Sequence, residues 1–249
     1  MFVYEKKLQY PVKIANPNPK LAAAIISQYG GPDGELGASL RYLSQRYSMP
    51  YPELKGLLTD IGTEELGHLE MVGTIVHQLT RNLTVDQIKE AGFDTYFVDH
   101  TTGVFPQFAS GYPWSAATMQ VTGDTIADLT EDLAAEQKAR VTYDNILRLS
   151  DDPDVNDVIK FLRAREIVHF QRFGETKRTR WNKMKRTADI KDIQDRISWM
   201  SFLLGFNYDD IQSIPTTPCN THGGLISNTW QGACIEAYAI AQMRVGKDS

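Results

Sequence analysis

The chain has 249 residues, 42% of them hydrophobic and 23% charged, and a formal net charge of -5. That composition is a globular protein's, long enough for one large domain with an appendage, and its acidic balance excludes nucleic acid as a main partner. No apolar run approaches a membrane span, Met1-Phe2-Val3-Tyr4-Glu5-Lys6-Lys7 has no signal-peptide core, which predicts an intracellular protein, and Cys219 and Cys234 are too few for a disulfide framework.

Pro11, Pro17 and Pro19 make the first twenty residues an extended arm that ends in a helix cap. A helical pattern starts near Leu21 and meets Gly30-Gly31-Pro32-Asp33-Gly34. It resumes through Glu35, Leu36, Leu40, Tyr42 and Leu43 and stops by Ser48-Met49-Pro50. The glycines mark either a break between two helices or a kink in one.

A second helix opens at Pro52-Glu53, where proline suits the first turn. Leu54, Leu57, Leu58, Ile61, Glu65, His68, Val72, Ile75 and Leu79 follow at spacings of three and four, up to an end near Thr80-Arg81-Asn82. Residues 83–113 are irregular, and their glycines, prolines and aromatics predict a long ordered loop. Phe93, Tyr96, Phe97, Phe105, Phe108, Tyr112 and Trp114 are too many rings to leave in water. They are expected to pack on the bundle or on a neighbouring subunit, with substrate gating by some of them as the alternative.

A third helix is expected from Gly123 to Leu149, with Ile126, Leu129, Leu133, Glu136, Ala139, Tyr143, Ile146 and Leu147 on or near one face. Asp152-Pro153 supplies a cap and a first-turn proline for a fourth, which carries Val155, Val158, Ile159, Leu162, Glu166, His169, Phe170 and Phe173. Four long helices with no strand series predict an all-α fold. Beyond about Lys185 the pattern changes, with a short apolar cluster at Trp199 to Phe206 and a turn-rich stretch from Ser213 to Asn228. The expected division is a bundle domain over 1–185 and a C-terminal extension over 186–249.

Two copies of Glu-x-x-His stand out: Glu65-Leu66-Gly67-His68 and Glu166-Ile167-Val168-His169. Residues three apart share a helix face, so each pair aims a carboxylate and an imidazole at one spot. Two such pairs, with one further glutamate from each of two other helices, form the dinuclear metal site of ferritin-like four-helix bundles. Glu35 and Glu136 are those glutamates here. Charged side chains on apolar stripes need partners, because an unpaired buried charge costs several kcal/mol. Two divalent metals would neutralise the four carboxylates, and nothing else in the sequence brings enough inward positive charge. Two of five histidines matching by chance has a probability of about 2%. The remaining three, His77, His100 and His222, carry no comparable pattern, and Cys219 with His222 lacks the second pair a zinc site needs. Oxygen and imidazole ligands suit iron or manganese and do not choose between them.

The segments Gly34-Glu35-Leu36-Gly37-Ala38-Ser39-Leu40-Arg41-Tyr42-Leu43, Thr63-Glu64-Glu65-Leu66-Gly67-His68-Leu69-Glu70-Met71-Val72 and Arg165-Glu166-Ile167-Val168-His169-Phe170 resemble those of the manganese catalases. So do Asp99 to Gly123 and Asp132 to Ala139, and the likeness runs over residues 1–180. That family includes shorter catalase-like proteins of bacterial spore coats. The resemblance implies two manganese ions per chain, with iron as the alternative, and a dimanganese catalase that disproportionates hydrogen peroxide by cycling Mn(II)2 and Mn(III)2. It also implies that Glu65 and Glu136 bridge the ions, that Glu35 and His68 complete one and that His169 completes the other. Glu166 stands beside the second ion as a ligand or as the base that moves protons. Tyr42 is placed to hydrogen-bond a bound carboxylate, or is simply a core tyrosine. Some members have arginine just before the third-helix glutamate, where this chain has Ala135. By the same resemblance the chain is a homo-oligomer, a hexamer, in the cytoplasm or in a spore coat among other coat proteins. The competing readings are a structural coat protein with a vestigial or slow site, and a di-iron ferritin-like oxidase or storage shell.

Overall fold

The structure, a computed structural model, describes residue 5 and residues 7–187. The expected C-terminal extension from residue 188 on, with Cys219, Cys234 and His222, lies outside the described residues. The polypeptide forms α1 (Pro19–Gly30), α2 (Glu35–Gln45), α3 (Pro52–Thr80), α4 (Val85–Glu90), α5 (Asp94–His100), α6 (Thr125–Leu149) and α7 (Pro153–Thr187). A single 3-10 turn, Ala116–Thr118, precedes α6. Among the described residues there is no strand, only an isolated bridge between Gln107 and Pro113.

Local chemistry sets the boundaries. The Asn18 side chain accepts from the Leu21 amide to open α1, with Pro19 in its first turn. Asp124 accepts from Ile126 and Ala127 at the start of α6, and Asp152 accepts from the Asp154 amide just inside α7. The glycine run is a break and not a kink: α1 ends at Gly30 and a new helix begins at Glu35. Glycine is needed on either side of it on steric grounds. A Cβ on Gly30 would lie 2.3 Å from the Pro106 carbonyl carbon, and one on Gly34 would lie 2.6 Å from the Ser27 carbonyl oxygen. The crossover chain therefore passes directly over Gly30.

The bundle is made by α1–α2, α3, α6 and α7. Two apolar clusters lie along it. One contains Ile25, Ile26, Val72, Ile75, Tyr143, Ile146, Val158 and Leu162. The other contains Tyr42, Leu54, Leu58, Ile61, Leu129 and Phe173. Going from the first to the second, α1–α2 and α7 run in one direction while α3 and α6 run in the other. Since α3 and α6 are parallel, the connection between them must cross the length of the bundle, as in the ferritin-like arrangement.

That connection is less irregular than the sequence suggests. It holds α4, closed by a capping box between Thr84 and Gln87, and α5. Phe93 and Tyr96 are buried in the first cluster, Tyr96 donates to the Gly103 carbonyl, and His100 stacks on Phe105. The expected packing of rings onto the bundle holds for these, whereas Tyr112 is exposed. The N-terminal arm is strapped on with Val12 and Ile14 buried. The Gln78 amide pairs with the Ile14 amide and the Val12 carbonyl, and Tyr10 stacks on Phe161 of α7.

Candidate metal centre

Between the two apolar clusters lies one polar layer. Along α3, Ile61 is followed by Glu65 and His68 and then Val72; along α7, Leu162 is followed by Glu166 and His169 and then Phe173. Glu35 comes from the first turn of α2, where the positive end of the helix favours a carboxylate. Glu136 comes from the middle of α6. All six side chains are buried. Sequence spacing therefore brought together six residues that the structure also gathers at one place.

They form two overlapping groups, Glu35, Glu65, His68 and Glu166 in one, and Glu65, Glu136, Glu166 and His169 in the other. Within each, one donor atom per residue lies within 4.8 Å of all the others. Glu65 is central: its Oε2 is 2.7 Å from His68 Nδ1 and its Oε1 is 2.7 Å from His169 Nδ1. The imidazole rings face each other at 5.7 Å between centroids. Glu65 is shared, as a bridging carboxylate is. Glu166 is also shared, while Glu136 belongs to the second group alone.

The electrostatics show what such a layer lacks. Burial raises the carboxyls of Glu35 and Glu166 well above the usual range, and neighbouring carboxylates add to it. Glu136 is raised too, again chiefly by burial. Burial works against ionised Glu65 as well, but the charges of His169 and His68 outweigh it and hold Glu65 well below the ordinary range. Burial works against charge on both imidazoles, but Glu65 beside each pushes them up, His68 to about 10 and His169 to about 12. Glu65 Oε1, Glu136 Oε2, Glu166 Oε1, His68 Nε2 and His169 Nδ1 are buried without a hydrogen-bond partner. Buried lone pairs left open among carboxylates that protons must otherwise neutralise are what a divalent cation satisfies. The donor set, four carboxylates and two imidazoles without sulfur, fits a pair of manganese or iron ions.

Around this layer stand groups that hold it in place. Tyr42 donates to Glu136 Oε1 at 2.5 Å, and Tyr143 donates to Glu35. Glu64 Oε2 pairs with His169 Nε2 at 3.1 Å, and Glu64 Oε1 lies 3.6 Å from His68 Nε2. Arg165 grips Glu64 through Nε and Nη2. One turn before Glu136, Asp132 is fully buried, its carboxyl pushed up by burial and both its oxygens without partners. Sequence reasoning singled out Tyr42 but gave no role to Tyr143, Glu64 or Arg165. Tyr143 could have been found, being seven residues after Glu136 on the same stripe. Glu64 and Arg165 could not, since each reads as an exposed neighbour of a site residue.

The sequence profile of manganese-containing catalases matches residues 1–183. The chain belongs to the manganese catalase family. It is 57% identical over 175 residues to the protein CotJC of Bacillus subtilis, covering 70% of this chain and 92% of that one. It is 37% identical to a probable manganese catalase of Clostridium acetobutylicum, over 78% of this chain and 85% of the relative. Among solved structures, wild-type KatB, a manganese catalase from Anabaena, superposes with a TM-score of 0.68 at 34% identity, covering 76% of this chain and 84% of that one. The ferritin-like fold and the manganese-directed family thus agree with the donor set that the bundle encloses.

Proposed function

We propose that this chain is a dimanganese catalase, converting two hydrogen peroxide molecules to two water molecules and one dioxygen. The observation that carries this reading is the buried layer itself, with Glu65 set between two inward-facing imidazole nitrogens and five carboxylate or imidazole partners around it. Glu35, Glu65, His68, Glu136, His169 and Glu166 would hold the ions. A bound manganese pair supplies the storage of two electrons that lets one peroxide be reduced and another oxidised. The residues do the rest. Tyr42 and Tyr143 each donate to one carboxylate and so fix its orientation. Glu166, which reaches both groups, is the candidate to accept a proton from peroxide and return it to the leaving oxygen. The apolar clusters on either side exclude bulk water.

A second reading is a structural protein of a spore coat with a slow or vestigial site, in company with other coat proteins. One observation favours keeping it: the relative at 57% identity goes by CotJC, and the relatives named as catalases share less of the sequence. The two readings overlap, since a coat protein can also be a working catalase. The cytoplasm is the alternative location. A homo-oligomer, by resemblance a hexamer, belongs to either reading.

Metal analysis of the purified chain together with azide-insensitive oxygen release from peroxide tests the proposal. About two manganese ions per chain with rapid oxygen release is the expected result. Manganese without oxygen release selects the coat reading, and iron in place of manganese overturns both in favour of a di-iron protein.

A further inference from the structure

The two site histidines come from different helices, yet their outward nitrogens face the same carboxylate. His68 and His169 both turn Nδ1 toward Glu65. That leaves Nε2 of each on the far side, and both are directed at Glu64: His169 Nε2 is 3.1 Å from Oε2, and His68 Nε2 is 3.6 Å from Oε1. Glu64 directly precedes Glu65 on α3, so successive residues of one helix contact opposite edges of the same two rings.

The carboxylate is itself held from two other parts of the chain. Arg165 of α7 donates through Nε to Oε1 at 2.7 Å and through Nη2 to Oε2 at 3.1 Å. Gln9 of the N-terminal arm donates to Oε1 at 2.8 Å. A two-point guanidinium contact fixes the plane of a carboxylate as well as its position. Glu64 is mostly buried and the two rings are fully so. His169 Nε2 therefore has a fixed acceptor on its outer side, and the same carboxylate is the charge that stands 3.6 Å from His68 Nε2, a buried nitrogen with no hydrogen-bond partner of its own.

We propose that Glu64, clamped by Arg165, is a positioning residue common to both halves of the metal centre. It would keep the proton of each imidazole on Nε2, leave each Nδ1 lone pair free to bind metal, and tie the orientation of one ring to that of the other. A carboxylate behind a ligating imidazole also makes that imidazole a stronger donor. Because a single side chain does this for both rings, its loss affects both ion positions together. The inference rests on the dimetal reading above and extends it to residues with no ligand role of their own.

The test uses the full chain loaded with manganese, in wild-type form and as Glu64→Gln and Arg165→Gln. Two measurements are made besides activity: the rate of manganese release into excess chelator, and the electron paramagnetic resonance spectrum of the Mn(II) pair. Glu64→Gln is expected to release both ions about 10- to 100-fold faster, with an altered spectrum. Arg165→Gln, which touches neither ring, is expected to show a smaller change in the same direction. Should Glu64→Gln fail to fold, Arg165→Gln carries the test by the same two measurements. Release and spectra matching wild type in the variants that fold overturn the positioning role while leaving the dimetal reading intact. A wild-type chain that takes up no divalent metal overturns the dimetal reading and this inference with it.

Discussion

A carboxylate between two imidazoles is satisfied by protons on those rings or by metal ions, and Glu65 lies between two of them in a buried layer. Replacing Glu65 with Gln removes the charge that lies against Nδ1 of both rings. Manganese binding is expected to be abolished by Glu65→Gln and by Glu136→Gln, as read by metal content after dialysis; full metal content with full activity would refute their assignment as ligands. Glu166→Gln is expected to differ. If Glu166 moves protons, turnover falls further than metal content, and equal losses would make it a ligand only. The raised histidines carry a further prediction for the metal-free chain. His68 is raised to about 10 and His169 to about 12 from an ordinary 6.5, so the folded state binds more protons than the unfolded one above that ordinary value. Their contribution is complete below pH 6.5 and declines as pH rises through 10. The raised carboxyls of Glu35 and Glu166 act in the same direction from their ordinary 4.5 upward. Thermal melts of the metal-free chain should therefore fall as pH rises from about 6.5 to 10. The manganese-loaded chain should instead weaken on acidification, as protons displace the metal.

Among the helices, the break between α1 and α2 does more than turn the chain. Ending α1 at Gly30 lets the crossover lie across it, and starting α2 at Glu35 puts that carboxylate in a first turn facing Tyr143. Gly30→Ala places a methyl group 2.3 Å from the Pro106 backbone, which neither side can absorb by rotating a side chain. Destabilisation of about 1–3 kcal/mol is expected, measured by urea unfolding, unless the crossover moves away. A variant as stable as wild type would show that the contact is loose. Glycines can be counted in a sequence, but whether they kink one helix or separate two depends on what passes over them. Here it is residues 106–107, some seventy-five positions away in the chain. The same reasoning explains the crossover itself. Its rings read as packing groups, but the short helices α4 and α5 are held by burial of Ile88, Phe93 and Tyr96 in the bundle, and their local pattern is too brief to announce them.

For the whole molecule, a layer of buried carboxylates between two apolar clusters is a cost in the metal-free state and a source of stability when loaded. Ligand bound only by the folded state stabilises it by about 4.1 kcal/mol at a thousandfold excess over its dissociation constant. Chelation should therefore lower the melting temperature by on the order of 10 °C, and restoring manganese should reverse it. Equal melting temperatures with and without chelator would mean that the layer binds no metal in the folded chain. The paired Glu-x-x-His motifs, the four helical stripes and the cap at Asp152 were all legible in the sequence because each is a relation between residues a few positions apart. Such relations give helix faces, and the burial cost of charge then selects a metal layer. Tertiary structure alone decided which side chains meet across helices. It brought Glu166 within reach of both groups, set Tyr143 on Glu35, and placed Glu64 and Arg165 behind the histidines, because those contacts depend on the distance and rotation of helices whose residues lie a hundred positions apart.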